Sequence, residues 1–411
     1  MKMNNHKPTW HGILLVAGGA IGAGMFALPM VSAGAWMLWS TLGFLLVWYM
    51  TFLSASLFAK VNLALVADNK TNINDQSSFD SIVHAVMGSR WATLNNLSIM
   101  FIMMILMYAY ISAGASIVAY SFESIGLQIE TDMRKWLSLC FALIIALIVW
   151  LGTSIVSRVI LVLMIGMALT FTVASRGIIP SVDFTILTSP TNSWSYLFAA
   201  LPVYVTAFAC GGLVPSLVRH YEFDPAKVYK SLLWGTLLAL LVYLFWLSLT
   251  LGSIGRNGFI EIFTRGGNIG DLVKALVSIG VDPSLQARLN IFSHCAIITS
   301  FLSVGLGLFH FIQDKLCLGD SAMQRLKAIA CCFVPPALGS FFLPYGFVHA
   351  ISYAGLFVAC SFFILPGVMA MVTTKKGMLT PGIAPYWVII FGAIIVGLKC
   401  ALIFDLLPQF A

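Results

Sequence analysis

The chain has 411 residues, of which 60% are hydrophobic and only 9% charged. Soluble domains carry roughly a quarter charged residues, so a soluble multi-domain protein is excluded. The formal charge of +7 comes from 22 Lys and Arg scattered along short connections. That pattern argues against a nucleic-acid partner and for the basic loops of a multi-pass protein in contact with membrane lipid.

Apolar runs near the ~20 residues that cross a hydrocarbon core define the elements. They predict spans near 11–34, 36–58, 92–121, 136–152 and 155–176, then 195–218, 228–252, 287–313, 325–344, 347–372 and 385–404. Lys2 and Lys7 before the first run, and Ser32-Ala33-Gly34-Ala35 after it, resemble a signal peptide. The run is long for one and a second span follows at once, so it reads as a retained helix.

With the N-terminus inside, the connections place 14 Lys and Arg on the cytoplasmic side and 8 outside, counted along the sequence. The bias predicts a cytoplasmic N-terminus and a periplasmic C-terminus. Arg256, Arg265 and Lys274 of the outer set fall in one long connection, 253–286. Within it, Ile269 to Ile279 carries apolar residues at helical spacing and reads as a surface helix over the outer mouth or a solvated loop. The eight cysteines include no C-x-x-C pair and read as small apolar packing residues, so no metal site is expected. No cofactor is expected either.

Two spans are interrupted. The first reads Ala17-Gly18-Gly19-Ala20-Ile21-Gly22-Ala23-Gly24-Met25-Phe26-Ala27-Leu28-Pro29, and the sixth Thr206-Ala207-Phe208-Ala209-Cys210-Gly211-Gly212-Leu213-Val214-Pro215-Ser216. Glycine eases departure from helical geometry and proline removes a backbone donor. Unwound backbone at membrane depth persists only where protein or a water-filled cavity satisfies it. Such breaks can hold a zwitterion, with half-helix N-termini facing the carboxylate and freed carbonyls the ammonium. Gly18-x-x-x-Gly22 also fits a close-packing motif. Interrupted spans five apart are what an inverted five-plus-five repeat requires. The fold expected is therefore an all-α membrane protein of about eleven helices in one transport domain. Residues 11–176 form a first repeat, 195–372 a second, and 385–404 an additional helix.

Gly22-Ala23-Gly24-Met25-Phe26-Ala27-Leu28-Pro29, Gly34-Ala35-Trp36, Ser77-Ser78-Phe79-Asp80 and Tyr108-Ala109-Tyr110-Ile111-Ser112-Ala113 begin a series of short motifs. Val156-Ser157-Arg158, Pro215-Ser216-Leu217, Gly266-Gly267-Asn268-Ile269, Gly305-Leu306-Gly307-Leu308-Phe309 and Tyr353-Ala354-Gly355-Leu356 continue it. In this order and spacing the chain resembles the tryptophan/tyrosine permease family of proton symporters. The resemblance implies an inner-membrane importer of an aromatic amino acid, with its site at broken helices one and six. It also implies that Tyr108, Tyr110 and Ser112 of span three, and Thr299 and Ser300 of span eight, line that site. The chain departs from the family at Gly211-Gly212-Leu213, where a His-Gly-Asn or His-Gly-Ser triplet is usual. It departs again at Lys60, in place of an acidic residue closing span two, and at Met167, in place of a lysine in span five.

All fifteen carboxylates lie in loops or at span ends. Without paired carboxylates or histidines inside spans, a membrane enzyme or metalloenzyme is not indicated. Tyr108 and Tyr110 diverge at i and i+2 on a helix, so at most one faces the substrate; the resemblance favours Tyr108. Arg158 and Lys399 read as side chains that snorkel to the surface. The candidate substrate contacts are Gly19, Gly22, Gly24, Phe26, Tyr108, Ser112, Phe208, Gly211 and Gly212. His294 is the deepest histidine and a candidate to carry a coupled proton. Thr299, Ser300 and Ser303 are candidate oxygen ligands if sodium is the coupling ion instead. A carrier of another neutral amino acid, a channel and a polytopic enzyme are the competing readings.

Overall fold

The computed structural model describes residues 7–67, 78–189, 194–280 and 284–410, and among them every regular element is helical. Among the described residues ten helices are long and apolar enough to cross a membrane, or eleven with a bent pair taken as one span, the first. That first span is Thr9–Ala20 with Ala23–Ser32, bent by 51°. The second to fifth are Trp36–Ala67, Ser89–Glu123, Asp132–Leu151 and Thr153–Ser181. The sixth to eighth are Ser195–His220, Pro225–Thr264 and Leu285–Lys315, followed by Ala322–Phe342, Phe347–Lys375 and Ala384–Ile403.

Local chemistry sets the junctions. Between spans four and five the chain turns on Gly152 alone, at φ 112°, a conformation glycine adopts without steric cost. Asp224 caps span seven by accepting from the Ala226 and Lys227 N–H groups at 3.0 and 3.4 Å, with Pro225 in the first turn. Span seven then kinks at Gly255 (φ 68°, ψ 165°), before its last turns. A short helix that the apolar runs do not announce, Phe79–Met87, precedes span three and starts at a Ser78 cap.

The patterned stretch Ile269–Ile279 is a helix whose Ile269, Leu272, Val273 and Leu276 are buried. It packs on spans three, seven and eight, and the Gly270 N–H donates to Ser116 Oγ of span three at 3.0 Å. It is thus docked to the bundle, not a solvated loop. Asp271 in its first turn accepts from the Asn268 N–H at 3.2 Å. Burial raises the Asp271 carboxyl above its usual range, against the opposing pull of that N–H and of Arg134 and Arg265.

Span eight packs along spans five and three, span ten along spans three and six, and the first half of span one along span seven. These contacts bring the breaks of spans one and six to the centre of the bundle, where they face spans three, five, eight and ten.

Candidate functional site

The first span stops being helical at Ile21 (φ −76°, ψ 112°) and Gly22 (φ −168°, ψ −156°), then resumes as a tight turn at Ala23–Phe26. Gly22 is required by close approach: a Cβ there would stand 2.5 Å from Ser300 Oγ of span eight. Ser300 accepts the Ala23 N–H at 2.9 Å, satisfying a donor at the start of the second half-helix. Gly19 is similarly crowded, by the Leu213 side chain of span six. A Cβ on Gly24 would meet nothing within 4 Å, because it would project into open space.

That open space is a cavity of ≈ 220 Å³ between the breaks. Gly19, Gly22 and Gly24 line it from span one, and Thr206, Ala207 and Ala209 from span six. Span three contributes Tyr110, span five Met164 and Met167, span eight Thr299, Ser300 and Ser303, and span ten Ile351. No Asp, Glu, Lys, Arg or His is among the lining residues. Backbone dipoles and hydroxyls are therefore the polar groups it offers a zwitterion. Thr206 Oγ1 donates within span six to Pro202 O and across to Ile351 O of span ten, each at 3.0 Å.

One phenol joins the two breaks. The Tyr243 hydroxyl of span seven lies 2.6 Å from Ala20 O, the last carbonyl of the first half-helix. It also lies 2.9 Å from Ala207 O, at the corresponding point of span six. Its single hydrogen is shared between two carbonyls that helix geometry no longer satisfies. Tyr243 was legible by the rule that singled out Tyr108 and Tyr110, a phenol within an apolar span, but nothing in its neighbourhood marks it.

The other expected contacts are placed elsewhere. Tyr108 turns to the outside of the cavity, its hydroxyl donating to Leu343 O at 2.8 Å, while Tyr110 faces inward. Ser112 is buried and donates to Pro344 O at 2.7 Å. Phe26 packs against Trp246 and Phe292, with centroids 5.8 and 5.2 Å away, and Phe208 against Tyr243 at 5.1 Å. Gly211 makes room for Phe362 of span ten, whose ring would lie 2.7 Å from a Cβ there, whereas a Cβ on Gly212 would meet that ring at an ordinary 3.8 Å. His294 does not line the cavity; its Nε2 is 3.1 Å from Ser121 Oγ of span three. Arg158 is exposed, as a snorkelling side chain would be. Lys399 is not: it is 5% exposed, donates to Ser352 Oγ at 3.0 Å and lies 3.7 Å above the Tyr353 ring. Span eleven packs against spans six and ten and turns this residue inward.

The tryptophan/tyrosine permease family matches residues 5–399. The chain belongs to that family. It is 40% identical over 369 residues to a tryptophan-specific transport protein of Pseudomonas aeruginosa, covering 89% of this chain and 86% of that protein. It is 33% identical over 422 residues to the low affinity tryptophan permease of Escherichia coli K12, covering 98% of each. A tyrosine permease of Enterobacter agglomerans is 30% identical over 97% of each chain. Family membership makes the chain a multi-pass carrier of an amino acid and not an enzyme.

Proposed function

We propose that this permease imports an aromatic amino acid, tryptophan before tyrosine, across the cytoplasmic membrane of its cell by alternating access. The observation that carries the reading is a cavity built at two helix breaks, without acidic, basic or histidine side chains, in a chain whose relatives at 40% and 33% identity are named for tryptophan. In this reading the carboxylate meets the N-terminal end of the second half of span one, near Gly22 and Gly24. The ammonium meets carbonyls at the ends of the broken segments. Met164, Met167 and Tyr110 supply the soft wall for a ring.

The inverted five-plus-five architecture belongs to the same proposal. Its support lies in which spans pack together. Spans five and eight pack closely, and so do spans three and ten, two pairs that exchange under a shift of five. Spans three and eight, and four and nine, each pair with their own counterpart. Span eleven stands outside this scheme.

Proton coupling follows from the resemblance, with His294 and its Ser121 partner as the groups to test. A specific observation favours a second reading, sodium. Thr299, Ser300 and Ser303 put three hydroxyl oxygens on the face of span eight that meets the break of span one, and hard oxygen ligands suit such a cation. The experiment is uptake of labelled tryptophan into proteoliposomes, with unlabelled amino acids as competitors. A pH gradient and a sodium gradient are imposed separately, on wild type and His294→Gln. Competition strongest by tryptophan and tyrosine supports the reading, and competition led by an aliphatic amino acid overturns it. Accumulation that follows only the sodium gradient reassigns the coupling ion.

A further inference from the structure

A second cavity, of ≈ 300 Å³, lies apart from the central one and shares none of its lining residues. The second half of span one, the first half of span six, the ends of spans seven and eleven and the start of span ten enclose it. It has three features that together specify a ligand. The first is Lys399, nine-tenths buried and lining the cavity. An ammonium carries three donors. One is used by Ser352 Oγ at 3.0 Å and one face by the Tyr353 ring at 3.7 Å, leaving a donor for an anion. Among the described residues no carboxylate forms an ion pair with it, and a buried cation in a membrane span without a counter-charge is costly. The second feature is the wall: the rings of Tyr196, Tyr345 and Phe410 line the space. Arg256 lies 5.2 Å from the Phe410 ring centroid and Arg134 5.1 Å from that of Tyr345, so these rings are backed by further positive charge. The third is Asp405, exposed at the rim and held by Gln409 at 3.4 Å.

We infer that this cavity is a second ligand site, taking the carboxylate of an aromatic amino acid on Lys399 and its ring among Tyr196, Tyr345 and Phe410. Asp405 then stands where the mouth would attract the ammonium and repel a multiply anionic ligand. That the ligand is an aromatic amino acid rests on the transport reading above; the carboxylate-binding lysine does not. The same span ten serves both cavities: Ser352 binds Lys399, and the preceding Ile351 lines the central site and accepts from Thr206. A molecule in the outer cavity is thus placed against the helix that walls the central one.

The test is equilibrium binding of tritiated tryptophan to the full chain in nanodiscs of zwitterionic lipid, beside uptake in proteoliposomes. Wild type is expected to bind two molecules per chain. Gly24→Val, which fills the central cavity, is expected to keep one and lose uptake. In that background, indole-3-propionate, a carboxylate without an ammonium, should displace the remaining tryptophan, and tryptamine should not. Adding Lys399→Met should weaken the remaining site on the order of tenfold or more, the loss of one charge-assisted hydrogen bond, and Lys399→Arg should weaken it less. Phe410→Ala, which leaves the lysine untouched, should weaken it as well, by removing part of the ring wall. Elution profile and thermal midpoint check the fold of each variant. One molecule per wild-type chain with normal uptake overturns the inference and leaves the transport reading intact. Residual binding indifferent to Lys399→Met also overturns it. So does residual binding abolished by phosphatidylglycerol, which would give the lysine to a lipid headgroup. Absence of any amino-acid uptake would instead sink the transport reading.

Discussion

The hydroxyl of Tyr243 holds the two places where spans one and six leave helical geometry. Replacing it with phenylalanine keeps the ring among Phe44 and Phe208 and removes only the donor. One buried and one part-buried carbonyl then lose their donor, so Tyr243→Phe should lower stability by about 1–3 kcal/mol and cut the rate of uptake, read by thermal unfolding in detergent and by initial uptake rates. An unchanged midpoint would mean that water replaces the phenol. The glycines of span one separate packing from binding. Gly22→Ala forces a Cβ to within 2.5 Å of Ser300 Oγ and should destabilise the protein, whereas Gly24→Val projects into open space and should fold yet not transport. Near-normal uptake by Gly24→Val would remove the central cavity from the mechanism. Glycine-rich interruption was readable in the sequence because glycines cluster beside a proline in two spans five apart, which close packing alone does not require. Which of Tyr108 and Tyr110 faces inward was not: span three is apolar nearly all round, and its rotation is set by neighbours that a single span does not encode.

Among the elements, the docked helix Ile269–Ile279 carries a pH dependence of predictable sign. Burial raises the Asp271 carboxyl, so the folded, docked helix binds its proton more tightly than the undocked chain does. The contribution to docking is full below the ordinary carboxylate value of 3.8 and is lost as pH rises through the raised one. Amide protection of this helix, corrected for intrinsic exchange rates, should therefore be greater at pH 4 than at pH 7. Asp271→Asn should abolish that difference; protection that rises with pH in wild type would reverse the assignment. The helix itself was legible from its apolar spacing, but its docking was not, since that depends on Ser116 of span three, more than 150 residues earlier. The Gly211-Gly212 pair shows the same limit. It reads as a break, which it is, yet Gly211 is fitted to Phe362, which stands in a π turn over Cys360–Ile364 of span ten. A π turn has no sequence signature comparable to glycine or proline.

At the scale of the whole molecule, the count of spans and their orientation are separate matters. The count was legible to ten or eleven because hydrocarbon thickness fixes helix length, and the 51° elbow of the first pair is what separates the two numbers. The packing order around the cavity was not legible, because spans in lipid associate through shape and not through an amphipathic stripe. Orientation rests on the Lys and Arg bias alone, and Ala411 lies outside the described residues, so internal positions make the better probe. Cys317 is exposed in the connection after span eight, and Gln128 is exposed in the connection after span three. Five spans separate them, so they must lie on opposite faces whichever way the protein is inserted. The charge bias places Cys317 in the cytoplasm and Gln128 outside. With the other seven cysteines replaced by alanine, a membrane-impermeant maleimide should leave Cys317 unlabelled on intact cells and label it after permeabilisation. In a chain with Cys317→Ala and Gln128→Cys, labelling should occur on intact cells. Exchange of the two patterns would invert the orientation and keep the fold. Labelling of both from one side would mean that one of the five intervening helices does not cross, and would undo the pairing of spans on which the central cavity depends.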